Sequence, residues 1–134
     1  MGGEVAVELK LLGVAAILGL VQLLWAAAAA RRQQDLKWAA GPRDTPMPIT
    51  GVAARLHRAF WNFAETFPFF AAAVLGCAAA GRLGGDLTVW GAGLYVAGRA
   101  LYAPLYASGV PLARTLVWFV SMIGLAMLLF ALVR

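Results

Sequence analysis

One cysteine, one histidine and six carboxylates are all that the 134 residues offer for disulfide, metal or acid–base chemistry. Cys77 has no second cysteine to pair with, so an internal disulfide is excluded, and among small apolar neighbours a thiol serves as a compact core hydrophobe. His57 has no second His or Cys nearby and falls short of the ligand count a metal site needs, so no metal is expected. Charge is scarce as well. Only 13% of the residues are charged against 63% hydrophobic, which lies far outside the range of soluble domains and leaves no segment for one. The net charge of +5 does not mark a nucleic-acid surface, because the basic residues cluster between hydrophobic runs and are not interleaved with exposed aromatics. Gly91, Gly93 and Gly98 follow no strand, which excludes a phosphate-binding loop and leaves close helix contact as their role.

What is present is apolar length. A bilayer core about 30 Å thick takes roughly 20 apolar helical residues per crossing. Four such segments fit, at about 11–30, 56–80, 87–106 and 111–133, within a single transmembrane domain covering 1–134. The fold class is therefore all-α, an integral membrane four-helix bundle. The first run resembles a signal peptide in ending on alanines, but Glu4 and Glu8 precede it, it is too long, and Arg31-Arg32 closes it, as in a retained anchor. Ala6 replaces the Ser or Thr that a myristoylation site requires. Residues 35–50 contain Pro42, Pro46 and Pro48, which predict a turn-rich loop, while Pro68 and Pro104 fall inside predicted helices and should kink them. Pro111 suits the first turn of the last span. The five tryptophans, Trp118 included, read as anchors in interfacial aromatic belts. Arg31, Arg32, Lys37, Arg43, Arg55 and Arg58 flank or fill the first connection, and the next carries Arg82 alone. The positive-inside rule puts the first loop in the cytoplasm and both termini outside.

Against this background some polar groups are out of place. In RLHRAFWNFAETFP, residues 55–68, Arg55, Arg58, Asn62 and Glu65 recur at spacings of three, four and three, so at about 100° per residue they form one stripe. Tyr95, Arg99, Tyr102 and Tyr106 form a second stripe on the next span. A charge in the membrane interior costs about 2.5–3.5 kcal/mol on insertion scales and faces protein or a wet cavity. The two stripes should therefore face each other or a partner subunit. A purely structural alternative is that Arg58, Asn62 and Glu65 satisfy one another and hold helices together. As a ligand site, guanidiniums offer bidentate contacts to carboxylates, Glu65 a counter-charge for an ammonium, and Asn and Tyr directed hydrogen bonds, which fits a small zwitterion with excess negative charge.

Arg58-Ala-x-x-Asn62-x-x-Glu65-x-x-Pro68, then Arg99-x-x-Tyr102-x-x-x-Tyr106, then Arg114 at the head of the last span, resemble the membrane-associated proteins in eicosanoid and glutathione metabolism (MAPEG). The nearest likeness is to the bacterial branch, akin to microsomal glutathione transferases. The match is strong over 55–134, and in the first span it rests on Arg31-Arg32. The resemblance implies a homotrimer in the bacterial inner membrane, with glutathione as co-substrate at a subunit interface near the cytoplasmic face. It assigns Arg58, Asn62, Glu65, Arg99, Tyr102 and Arg31 to glutathione binding, Glu65 meeting the γ-glutamyl ammonium and Arg99 a carboxylate. Arg114, after a one-residue shift in the preceding turn, and Tyr106 are the catalytic pair.

The implied reaction is thiol activation for detoxification. A thiol with a pKa of about 8.5 is mostly protonated at neutral pH, and a fixed cation beside it favours the thiolate, which then conjugates a lipophilic electrophile or reduces a lipid hydroperoxide. Two other readings remain open: a non-catalytic lipid-binding member of the same family, and a small proton-coupled multidrug exporter working through an intramembrane Glu65.

Overall fold

The computed structural model describes residues 3–134 and is helical throughout. Its elements are α1 (Val7–Arg31), α2 (Leu36–Ala40), α3 (Gly51–Ala79), α4 (Asp86–Ala107) and α5 (Pro111–Val133). α1, α3 and α5 are each long and apolar enough to cross a membrane. α4 is less apolar because Asp86, Arg99 and three tyrosines interrupt it, but its 22 residues extend about 33 Å. It also lies antiparallel against α5, with Gly91 beside Gly124 and Gly98 beside Val117 and Ser121. Its depth is thus set by α5.

The connections follow local chemistry. Pro111 occupies the first turn of α5, where its missing N–H costs nothing, and Gly109, at φ 74°, ends α4 in a conformation that side chains disfavour. The first connection departs from the expected loop, since residues 36–40 form a short helix. The three prolines all come after it. Asp35 caps it by accepting the Lys37 N–H at 3.2 Å, and Gly41 closes it. Gln33 then ties the loop down, its side chain exchanging two hydrogen bonds with the Thr50 backbone, at 2.8 and 2.9 Å.

α1 packs on α3 and α4, α3 also meets α4 and α5, and the α4–α5 contact is the most extensive. The main core gathers Ala15, Phe70, Ala73, Val74, Tyr95 and Leu128, with the Phe70 and Tyr95 rings stacked at 4.0 Å. Outward-facing Ile17, Leu20, Leu24, Leu116, Phe119 and Ile123 are exposed, an apolar surface suited to lipid. At the end away from the first loop, helix termini are closed by side chains from elsewhere. Glu8, fully buried, accepts from the Gly84 N–H and the Thr88 hydroxyl, each at 2.6 Å, at the start of α4. There its charge also complements the helix dipole. Arg82 donates to the Ala131 and Leu132 carbonyls at the end of α5.

Of the three glycines expected at helix contacts, two are there. A Cβ on Gly98 would lie 2.7 Å from the Val117 carbonyl oxygen, and one on Gly91 would lie 2.8 Å from that of Gly124, whereas Gly93 meets nothing within 4 Å. Backbone cannot retreat as a flexible side chain can. Gly98→Val is therefore expected to lower the thermal midpoint in detergent, at a cost of about 1–3 kcal/mol from overpacking. Gly93→Val should change it far less.

Candidate functional site

Arg99 lies near the middle of α4 and is completely buried. Its Nη1 donates to the Asn62 side-chain oxygen at 2.7 Å and its Nη2 to the Thr66 hydroxyl at 2.8 Å, both on α3. Thr66 in turn shares a 2.9 Å hydrogen bond with the Tyr95 hydroxyl. The guanidinium carbon stands 5.7 Å from the Tyr95 ring centre and 5.2 Å from that of Tyr102, within cation–π range. No carboxylate pairs with it, since the one ion pair among the described residues joins Lys10 to Glu4. Its Nε has no partner among the described residues. A buried cation held only by neutral dipoles and ring faces retains an unmatched positive charge.

One to two turns nearer the first loop lies a second group. Tyr102 and Tyr106 meet edge to face at 5.7 Å. The Tyr106 hydroxyl accepts from Arg58 Nε at 3.0 Å, and the Arg114 guanidinium carbon sits 4.4 Å from the centre of the Tyr106 ring. Asn62, Tyr102, Arg114, Thr115 and Trp118 line a cleft of about 160 Å³ between α3, α4 and α5. The Trp118 Nε1 is buried and has no partner among the described residues. Trp118, two turns inside α5, thus belongs to the wall of this cleft, packed against Ala59, Tyr102 and Ala103.

The two stripes do face each other, but not every member joins in. Arg55 donates to the Ala107 carbonyl at the end of α4, at 3.1 Å. Arg58, Asn62 and Glu65 do not satisfy one another. The first two bond across to α4, and Glu65 is exposed with no salt bridge or hydrogen bond among the described residues. That position is about 21 Å along α3, too deep for an uncovered carboxylate in lipid. Arg31, at the end of α1, has no contact with the cluster, and its Nη1 is buried without a partner. His57 Nε2 accepts from Trp61 at 3.0 Å, and among the described residues no group of three or more His, Cys, Asp or Glu could hold a metal.

Thr66 was not picked out from the sequence, although it falls four residues after Asn62 on the same face. A threonine hydroxyl on a helix can bond its own backbone, as Thr66 also does to the Phe63 carbonyl at 3.2 Å, so it does not stand out in an apolar span. Trp118 gave no signal of its own, because an indole on an apolar helix reads the same in lipid as in a cleft.

An all-helical membrane bundle with cationic and phenolic groups converging from three helices at one end defines a class of membrane protein built around an internal polar site. The chain belongs to the MAPEG family, whose profile matches residues 11–134, so the match takes in most of α1 as well as the three helices that carry the motifs. No curated protein and no solved structure matches the chain.

Thr66 is the common partner of Arg99 and Tyr95. Thr66→Val keeps the volume but removes both hydrogen bonds, and is expected to lower stability by about 1–3 kcal/mol, read as the thermal midpoint in detergent. Thr66→Ser should restore most of it.

Proposed function

We propose that the protein is a glutathione-dependent membrane transferase and peroxidase acting on lipophilic electrophiles. The observation that carries this reading is Arg114 lying over Tyr106 beside a cleft that Asn62, Tyr102 and Trp118 also line. These groups are donors and a fixed cation, and donors and cations are what an anionic peptide and a thiolate require. The unpaired Glu65 supplies the one complementary charge, for the peptide's ammonium. Glutathione brings the sulfur nucleophile.

The chain's own residues have distinct tasks. Arg99, its charge unmatched, draws a carboxylate toward the cleft while Asn62 and Thr66 hold its plane. Arg58 fixes the Tyr106 hydroxyl through its 3.0 Å hydrogen bond, which keeps the ring in place under Arg114. Arg114 stabilises the thiolate over the thiol, with the Tyr106 hydroxyl as the alternative donor. In conjugation, a carbon–sulfur bond forms as the electrophile's leaving group departs or its double bond or epoxide opens. In the peroxidase mode, a hydroperoxide and two thiols give an alcohol, water and a disulfide. The apolar bundle wall admits substrate from the bilayer and keeps bulk water from the sulfur.

A homotrimer accounts for the groups that one copy leaves uncovered. Glu65 and Arg58 are exposed on a membrane helix, and a neighbouring copy removes them from lipid. Arg31 has no link to the cluster of its own chain, so its part in binding requires that it enter from a neighbour. The first-loop end faces the cytoplasm of a bacterial inner membrane, where the thiol is supplied. The exporter reading gains something from Glu65, which has no arginine partner among the described residues, but family membership and the cation that Arg114 brings to the cleft favour the transferase. A non-catalytic role is the remaining competitor.

Arg114→Ala is expected to reduce conjugation of a chromogenic electrophile by roughly a hundredfold while leaving glutathione stabilisation of the purified protein largely intact. Glu65→Gln should instead weaken glutathione binding roughly tenfold or more, read from the thermal shift. Wild-type protein that glutathione stabilises without turnover would mark the non-catalytic reading, and proton-linked dye transport in vesicles the exporter.

A further inference from the structure

A second, larger cavity lies on the other side of α3. It measures about 350 Å³ and is lined by Trp25, Ala28, Ala29, Arg32 and Gln33 from α1 and its end, and by Val52, Ala53 and Leu56 from the first turns of α3. It shares no residue with the Asn62–Arg114 cleft. Ala53 and Asn62 are nine residues apart, about 180° around the helix, so the two openings face opposite ways. We propose that this cavity binds the head group of an anionic phospholipid.

Its two ends differ in chemistry. Arg32 stands at the first-loop end, exposed and without a hydrogen bond or ion pair among the described residues. Gln33 is committed to Thr50 by its two hydrogen bonds, so it forms fixed wall and Arg32 is the free donor. From Arg32 to Trp25 is seven residues, about 10 Å along α1, and the lining between is alanine, with Val52 and Leu56 opposite. The headgroup layer of a bilayer is about 5–8 Å thick on each side. A ligand that fills this cavity therefore carries its charge at one end and its apolar part at the other, across the boundary between headgroup and acyl chains.

The sign of the charge is equally constrained. The lining contains a guanidinium and no carboxylate. The adjoining α3 terminus has no acidic residue in its first turn and no side-chain cap, so its dipole adds to the positive potential. Arg31, Lys37, Arg43 and Arg55 stand in or beside the same connection against Asp35 and Asp44, which leaves it basic on balance. A phosphodiester suits such a lining, and an arginine binds it in bidentate fashion. A zwitterionic peptide does not, because nothing here meets its ammonium. Tryptophan at the edge is typical of sites level with the membrane interface.

The test uses the full chain in neutral detergent, with phosphatidylglycerol or phosphatidylcholine of the same acyl chains added at equal concentration. Phosphatidylglycerol is expected to raise the thermal midpoint by roughly 4 °C more than phosphatidylcholine does. Arg32→Gln should abolish that difference. Val52→Asp should abolish it too, while favouring α3 by placing a carboxylate in its uncapped first turn, so its loss of lipid response cannot be put down to misfolding. Where glutathione stabilises the wild type, Val52→Asp should keep that response in full, which separates this site from the cleft; where it does not, the lipid comparison and its two variants test the site by themselves. Equal stabilisation by the two lipids would overturn the proposal, as would an undiminished difference in both variants. Protection by inorganic phosphate equal to that by phosphatidylglycerol would make it a free-anion site and overturn the lipid. A changed oligomeric state in either variant would assign the groove to a contact between copies instead.

Discussion

The Arg99 guanidinium, enclosed at the centre of the bundle and held by Asn62 and Thr66, is the constraint from which the polar end of this protein follows. A cation in that position without a counter-ion is stable only if its donors are directed to acceptors and its faces are covered by polarisable rings. α3 provides the acceptors and α4 the rings. Because the acceptors are short side chains, α3 and α4 must approach closely and in one register, and that register brings Arg58 to Tyr106 and Arg55 to the Ala107 carbonyl. α5 is then placed by its own tight contact with α4 at Gly98 and Gly91, and this contact sets Arg114 above the Tyr106 ring. Two kinds of contact, one polar and one steric, therefore fix the same site.

The two ends of the bundle handle charge in opposite ways. At the end away from the first loop, the Glu8 carboxylate closes α4 and the Arg82 guanidinium closes α5, each with a sign that complements the dipole it meets. Those charges are spent on structure. Toward the first-loop end the arginines outnumber their acceptors: Arg114, Arg32 and Arg31, and Arg99 deeper in the bundle, keep donors that no described residue satisfies. Excess donors at one end and satisfied termini at the other amount to a division between a site and a foundation.

Much of this could be read from the residues alone, for physical reasons. Helices in lipid must satisfy their own backbone, so long apolar runs bounded by Pro and Gly mark them reliably, and the four long helices lie close to the expected segments. The stripes were legible because ionic groups in such helices have few places to point. What escaped depended on partners distant in the chain. Glu8 looked like a hydrophilic head on the first span, while its partners Gly84 and Thr88 lie 76 and 80 residues away. Thr66 escaped because a hydroxyl on a helix can satisfy itself on its own backbone and so signals nothing by its presence. The short helix at 36–40 was hidden by prolines that follow it, although Asp35 and Gly41 were the visible caps.

Glu65 shows where a single chain stops being a complete description. Every other charged group deep in the bundle is either buried against acceptors or stacked on a ring, yet this carboxylate is exposed on a membrane helix and unpaired. Leaving it in hydrocarbon is costly, and protonating it would leave a hydroxyl with no acceptor. The same face of α3 carries exposed Arg58, Trp61 and Phe69, a mixture unsuited to lipid and suited to a protein surface with a polar seam. In the homotrimer proposed above, a neighbouring copy covers this seam, and an α1 end arriving there would give Arg31 something to bind. The unmet needs of Glu65 and Arg31 are of opposite sign, the kind that one ligand bearing both an ammonium and carboxylates can meet together, so on the proposed reading assembly and substrate binding are parts of one electrostatic problem.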